Sequence, residues 1–295
     1  MLEIKLILCP VDFSEFSIRA YHYAQSLAEH YGAKVVAQHI VELSRYPYAD
    51  YVASTGDYAE FSRTLRDGGQ QRLQAFVKTH SHDAIQPELV VHEGTAPDCI
   101  LSYAQKHNTD LIVMGTHGRR GYDRVVLGSV TNRVMRKASC PVLAICKQPQ
   151  ESTEGHERNH VHLLRRILFC TDFSKNSERA LSYALSATDE YDAELTLLHV
   201  LEDIRNPSKA QAAVATATEQ LDELIPQEIR KTLKIKTAVR VGKPYQQIIK
   251  LALETQTDTI VMGVRGRGAV DLAVFGSTTY RVLQLGPCPV LAVHV

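Results

Sequence analysis

The stretch Asp110-Leu111-Ile112-Val113-Met114-Gly115-Thr116-His117-Gly118 returns as Asp258-Thr259-Ile260-Val261-Met262-Gly263-Val264-Arg265-Gly266. In both places a short apolar run without polar alternation stops on a glycine, and a second glycine follows three residues later. Such a run fits a strand covered on both faces, as in a parallel sheet wrapped by helices. Glycines at its end let the backbone approach a ligand and take positive φ at little cost. Upstream, Leu6-Ile7-Leu8-Cys9-Pro10-Val11-Asp12-Phe13-Ser14 pairs with Ile167-Leu168-Phe169-Cys170-Thr171-Asp172-Phe173-Ser174, with Asp12 and Asp172 160 positions apart. Downstream, Cys140-Pro141-Val142-Leu143-Ala144 pairs with Cys288-Pro289-Val290-Leu291-Ala292 at a spacing of 148. The chain is therefore an internal duplication. The drop in spacing places extra residues in the first copy, between its second strand and Gly94, in a segment that holds Tyr46, Tyr48, Tyr51 and Tyr58. That segment reads either as a lid or interaction surface or as an ordinary surface loop.

Outward from these anchors the pattern is strand and helix in alternation. Val35-Val36-Ala37, Leu89-Val90-Val91 and Val142-Leu143-Ala144-Ile145 are further covered strands. Ser14 and Ser174 can N-cap the first helix of each copy. Ala180, Leu181, Ala184 and Leu185 recur at the spacing of a helix face packed on a sheet. Gln148 to His160 is polar, with Pro, Gly, Ser and Thr, and reads as an exposed linker. The expected division is residues 1–147, a linker over 148–164, and residues 165–295. At 295 residues, each half is long enough to bury its own core.

Composition narrows the function. Lys plus Arg and Asp plus Glu both count 33, so no overall field draws the chain to nucleic acid or to an anionic membrane. No apolar run approaches the ~20 residues that span a bilayer. The six cysteines form no C-x-x-C pair and read as buried thiols of a cytoplasmic protein.

The chemistry concentrates in the glycine loops. After Gly118 and nine intervening residues come Gly128-Ser129-Val130-Thr131, and after Gly266 and nine more come Gly276-Ser277-Thr278-Thr279. Each Gly-Ser opens a helical segment, where exposed amides and a hydroxyl suit a phosphate. Arg119, Arg120, Arg265 and Arg267 add local positive charge. Tight turns alone would also account for one such pattern, but two copies at identical spacing favour a ligand. Asp12 and Asp172, at strand ends, read either as ligand contacts or as structural caps. His39 and His199 occupy matched strand positions and read as structural. His156-Glu157-Arg158-Asn159-His160 matches H-E-x-x-H. It lies in the polar linker without an apolar helix face, so it reads as a chance match or an adventitious metal site and not as a metalloprotease centre.

Gly-x2-Gly-x9-Gly-Ser, with the strand-end Asp-Phe-Ser before it and Cys-Pro-Val-Leu-Ala after it, resembles the universal stress protein family over nearly the whole chain, twice. The resemblance implies two tandem doubly wound α/β domains, each a five-stranded parallel sheet of order 3-2-1-4-5 with helices on both faces. It implies ATP, with or without Mg2+, as the ligand. The adenine side would then fall to Asp12 and Asp172, with backbone contacts near Val41 and Leu201. Phosphates and ribose would fall to Gly115, Gly118, Arg119, Gly128, Ser129 and Val130. The matching set is Gly263, Gly266, Arg267, Gly276, Ser277 and Thr278, with Tyr280 as a departure where the first copy has Asn132. It further implies an internal pseudo-dimer paired through the last strands, a homodimer of such chains, and a regulatory protein partner. No P-loop or nucleophile elbow accompanies the loops, so the leading expectation is a nucleotide-dependent stress or regulatory protein with weak ATP hydrolysis at most. The alternatives are a slow ATPase or nucleotidyl-transfer enzyme, or a structural pseudo-dimer with degenerate sites.

Overall fold

The computed structural model describes residues 3–43, 58–81, 85–118, 127–146, 164–202, 207–264 and 276–294. The interdomain segment with His156 and His160, and Tyr46, Tyr48 and Tyr51 of the first-copy insertion, lie outside them. The first half runs β1 (Leu6–Pro10), α1 (Glu15–Tyr31), β2 (Lys34–Val41), α2 (Tyr58–His80), β3 (Glu88–Glu93), α3 (Ala96–Lys106), β4 (Leu111–Gly115), α4 (Ser129–Lys137) and β5 (Val142–Ile145). The second half runs β6 (Arg166–Thr171), α5 (Lys175–Glu190), β7 (Glu194–Leu201), α6 (Pro207–Glu223), α7 (Gln227–Thr232), β8 (Lys234–Val241), α8 (Pro244–Glu254), β9 (Thr259–Gly263), α9 (Ser277–Leu285) and β10 (Val290–Val293).

Within the first half the strands order as β3-β2-β1-β4-β5, and within the second as β8-β7-β6-β9-β10, with every pair parallel. The chain works outward from β1 to β3 and then jumps back to lay β4 against the other side of β1. At that reversal, neighbouring connections leave in opposite directions and open a crevice at the strands' carboxyl ends. The loops after β1 and β4 meet there, as do those after β6 and β9.

The central strands are the core: Ile7, Leu8, Val36, Ile112 and Val113 have no exposed surface, and Phe169, Leu168 and Leu195 match them in the second half. The helix face read from the sequence is present, with Ala180, Leu181 and Ala184 buried and Leu185 packed against them. Leu89-Val90-Val91 departs from the expected double coverage. β3 is the outermost strand of its order, and these side chains are half-buried. The insertion precedes α2, which starts at Tyr58, whereas α6 starts only a few residues beyond β7. Among the described residues no helix is long and apolar enough to cross a membrane.

The first strand of each half is tied down by one carboxylate. Asp110 Oδ2 accepts from the amides of Lys5 (2.8 Å) and Leu6 (2.9 Å), and Asp258 Oδ2 from those of Arg165 (3.0 Å) and Arg166 (2.8 Å). Both amides sit at a strand start, beyond the ladder's own acceptors. Asp110→Ala removes two charge-assisted bonds at once and should destabilise the chain by roughly 1.5–3 kcal/mol. Urea unfolding measures it; a change under about 0.5 kcal/mol would mean that water replaces the carboxylate without loss.

Candidate functional site

At the end of β1 the chain turns through Asp12 and Phe13 into α1. Asp12 Oδ1 accepts from the Ser14 amide (3.0 Å) and the Ser14 hydroxyl (2.6 Å). The Ser14 oxygen in turn accepts from the Ser17 amide at 3.2 Å and N-caps the helix. The second half repeats the relay, with Asp172 Oδ1 taking the Ser174 amide at 3.1 Å and its hydroxyl at 2.6 Å. Ser174 caps Ser177 at 3.4 Å. The capping role that the sequence left open is therefore real, and it uses one carboxylate oxygen. The other, Asp12 Oδ2, faces the β4 loop: a Cβ on Gly118 would lie 2.7 Å from it. Asp12 is thus held between the cap and the glycine loop.

That turn is strained. Phe13 has φ 64° and Phe173 φ 58°, a left-handed conformation that costs a bulky residue on the order of 1–3 kcal/mol. Packing over-determines it. Each ring rests on a histidine, Phe13 on His39 and Phe173 on His199, both with centroids 4.5 Å apart. His39 Nδ1 lies 2.8 Å from the Val11 carbonyl and His199 Nδ1 2.9 Å from that of Thr171. A carbonyl only accepts, so each Nδ1 carries the proton. The two histidines hold the peptide that precedes the aspartate. Arg72 stacks its guanidinium 4.4 Å from the Phe13 centroid, in the first half only among the described contacts.

The β4 loop closes on itself through backbone and threonine bonds. Gly128 N donates to Thr116 O (2.9 Å), Thr131 Oγ1 to Gly115 O (2.8 Å), and Thr116 N to Ile145 O (3.0 Å). In the second half Gly276 N donates to Val264 O (3.3 Å), Thr279 Oγ1 to Gly263 O (3.2 Å), and Val264 N to Val293 O (3.0 Å). These closures present the N-termini of α4 and α9 beside the strand ends. Gly128 and Gly276 are the N-caps, neither helix has a side-chain cap, and neither has an acidic residue in its first turn. The Ser129, Val130, Ser277 and Thr278 amides thus stand at the positive end of a helix dipole with no carboxylate in the helix's own first turn.

The glycines differ in what they do. Gly128 and Gly276 have φ −54° and −58°, so positive φ is not why they are glycine. The reason is space: a Cβ on Gly128 would lie 3.0 Å from the Thr116 carbonyl oxygen, and one on Gly276 3.3 Å from that of Val264. Gly115 and Gly263 face the other way, toward α1 and α5, where a Cβ would meet Phe16 at 2.6 Å and the Asn176 backbone at 2.9 Å. Val41 and Leu201 end β2 and β7, and their carbonyls accept from Gly94 (3.1 Å) and Gly242 (2.9 Å). Gly94 and Gly242, with φ 141° and 138°, are where positive φ does require glycine. Arg119, Arg120, Arg265, Gly266 and Arg267 lie outside the described residues. The sequence reading missed Thr116, Thr131 and Thr279 as loop braces, although Thr131 and Thr279 recur at matched positions.

Chemically, the arrangement offers amides, hydroxyls and a fixed carboxylate. The Cys9, Cys140, Cys170 and Cys288 thiols are poor nucleophiles: burial pushes Cys140 up to about 12 and raises the other three as well. Among the described residues no group of three or more His, Cys, Asp or Glu could hold a metal ion.

These features define a doubly wound α/β protein with one glycine-loop crevice per half. The sequence profile of the universal stress protein family matches residues 3–145 and again 164–294, so the chain belongs to that family. A universal stress protein of Mycolicibacterium smegmatis is 24% identical over 298 residues, covering 98% of this chain and 96% of that one. A universal stress protein of Methanocaldococcus jannaschii is 35% identical over 147 residues, 50% of this chain and 85% of its own. The crystal structure of a universal stress protein from Archaeoglobus fulgidus superposes with a TM-score of 0.68 at 23% identity, covering 99% of both chains, which supports the tandem fold.

Proposed function

We propose that each half binds one ATP and that the protein acts as a nucleotide-dependent stress-response regulator in the cytoplasm, working through a protein partner. In this reading residues 1–147 and 165–295 are two nucleotide-binding domains joined by the linker 148–164. One observation carries it: twice over, an uncapped helix N-terminus is closed onto a strand end beside an aspartate held at fixed geometry.

The residues fit the ligand. The Ser129, Val130, Ser277 and Thr278 amides would take phosphate oxygens, with the Ser129 and Ser277 hydroxyls as further donors. The missing side chains of Gly118, Gly128 and Gly276 keep the cradle at backbone distance, and Gly115 and Gly263 let the first helix of each half pack close enough to shape it. Asp12 and Asp172 would accept from an adenine amino group, and the peptides at Val41 and Leu201 would meet the same ring. Arg119, Gly266 and Arg267 would complete the two loops. Mass spectrometry of small molecules released from the purified, denatured chain tests the reading. ATP at one to two per chain is expected, and neither bound nor titratable nucleotide would sink it.

Turnover should be weak. Phosphoryl-transfer sites bring a positioned base and usually a lysine to the transferred group, and the described parts of these loops contain neither. Phosphate release should stay far below about 1 s⁻¹. A steady-state rate at or above that value would place the protein among enzymes.

A further inference from the structure

We propose that the first half carries a second ligand site, away from the glycine loops: a cleft between the edge strand β3 and α3 that takes a small aromatic carboxylate. The cleft is open to solvent on one side and holds about 410 Å³, and His92, Tyr103, Lys106 and His107 form its working wall. That volume lies within the range of small-molecule pockets.

The two halves supply an internal comparison. At the same spacing of 148 that relates the strand and glycine motifs, His92 corresponds to Arg240 and Lys106 to Glu254. In the second half these two residues form an ion pair at 2.7 Å, which satisfies its own charges across the equivalent space. Leu251 replaces Tyr103 and Thr255 replaces His107. The first half keeps the backbone geometry and changes the lining. Gly94 retains its positive φ, and a Cβ there would come 2.9 Å from Cys99 Sγ on the cleft floor.

The lining carries one carboxylate, Asp98, and one ammonium, Lys106. Lys106 has no ion pair or hydrogen bond among the described residues. Gln38 is fully buried, and its Nε2 lies 2.9 Å from His92 Nδ1. An amide nitrogen only donates, so Nδ1 accepts and the ring proton sits on Nε2, as a donor for the cleft. The same Gln38 nitrogen also reaches the Cys99 carbonyl at 3.4 Å, which agrees with that orientation. Burial, then His107, Lys106 and Arg66, hold His92 below its usual range, in keeping with a neutral ring in a cationic setting. The nearby carboxylates are already engaged. Asp98 takes Arg133 at 2.6 Å and the Thr95 hydroxyl, Glu42 takes the Ala96 amide at 2.8 Å, and Glu88 takes the Tyr103 hydroxyl. An anion entering the cleft therefore meets a donor and an ammonium without an opposing unpaired carboxylate.

The flat part of the ligand follows from the aromatic wall. His107 stacks on Tyr103 at 4.1 Å with planes 18° apart, and Tyr103 is buried while His107 is exposed. The imidazole can thus serve as a platform for one planar ring, and Lys106, which lines the same cleft, can meet its carboxylate.

The test uses the full-length chain and benzoate, with acetate and inorganic phosphate as comparators, read by calorimetry and by ligand-observed NMR. Benzoate should saturate with a dissociation constant of about 1 mM or below. Acetate and phosphate should each bind at least about tenfold more weakly, a gap of about 1.4 kcal/mol. The double variant His92→Arg/Lys106→Glu installs the pair that the second half already holds at these positions. It should stay folded, melting a few degrees lower because arginine cannot accept from the buried Gln38 amide, and lose benzoate binding by at least about tenfold. Lys106→Ala, at an exposed helix position, should weaken benzoate in the same direction without altering the fold. No saturation by about 20 mM, or equal affinity in the folded double variant, would overturn the site. Phosphate binding as tightly as benzoate would overturn the aromatic class.

Discussion

Saturating ATP is expected to raise the melting temperature by on the order of 5–10 °C, and Gly128→Val and Gly276→Val should each remove one bound nucleotide per chain. A ligand at a hundredfold excess over its dissociation constant stabilises the folded state by about 2.7 kcal/mol. For a domain of this size each kcal/mol is worth about 2–4 °C. Valine can adopt the φ of −54° and −58° found at these positions, so the effect is one of space. The added branch is driven against the carbonyl 3.0 Å away in the first loop and 3.3 Å away in the second, beside the Thr131 and Thr279 hydroxyls that brace the loops. Each loop should also lose about 1–3 kcal/mol of stability without ligand. The first site should be the tighter one. Its closing bonds are 2.9 and 2.8 Å against 3.3 and 3.2 Å in the second, and Thr116 adds a hydroxyl bond to Ile145 O (3.2 Å) that Val264 cannot make. A loop already closed leaves less ordering to be done by the ligand. Calorimetry that finds unchanged stoichiometry in a folded double variant would make these glycines turn formers and place the nucleotide elsewhere.

Much of the fold could be read because apolar runs, cap residues and a duplication are local signals. Leu111–Met114 and Val142–Ile145 proved to be covered strands, and Ser14 and Ser174 proved to be N-caps. Coverage of β3 misled because Leu89-Val90-Val91 carries no mark of being outermost; strand order is a property of the chain's path. The left-handed Phe13 and Phe173 were invisible for a related reason. Nothing in a phenylalanine announces positive φ, and the turn exists only because a histidine from the neighbouring strand holds the ring and the preceding carbonyl. The glycines were legible as special positions but not for their reasons. One letter stands for the tight loop at Gly128, the positive φ of Gly94 and the helix contact at Gly115, and only the neighbours tell these apart.

Asp12 joins these levels. Its β1 position puts it at the sheet reversal, its Oδ1 is committed to Ser14, and its Oδ2 borders Gly118. The helix cap and the candidate ligand contact are therefore one structural unit, so a change in how α1 sits on β4 reaches both stability and binding.

Gly115→Val should be the most damaging single substitution of the set, because it acts on that contact. A Cβ at Gly115 would lie 2.6 Å from Phe16 Cβ and 3.1 Å from the Phe16 carbonyl carbon. No rotamer of Phe16 moves its own backbone, so α1 must lift from β4 or the strand end must bend. Overpacking usually costs about 1–3 kcal/mol, and a clash with backbone belongs at or above the top of that range. The melting temperature should fall by roughly 6–12 °C. Gly263→Val, facing the Asn176 backbone at 2.9 Å, should behave alike in the second half. Gly68→Ala provides the opposite sign. Gly68 lies inside α2 with nothing within 4 Å of its added Cβ, so alanine should stabilise by about 0.5–1 kcal/mol through helix propensity. Its neighbour Gly69 would meet Val41 at 3.1 Å and should not share the gain. Thermal melts of Gly115→Val and Gly68→Ala beside the parent chain decide the matter. If Gly115→Val melts within about 2 °C of the parent, α1 is not seated on β4 at the distance that shapes the loop.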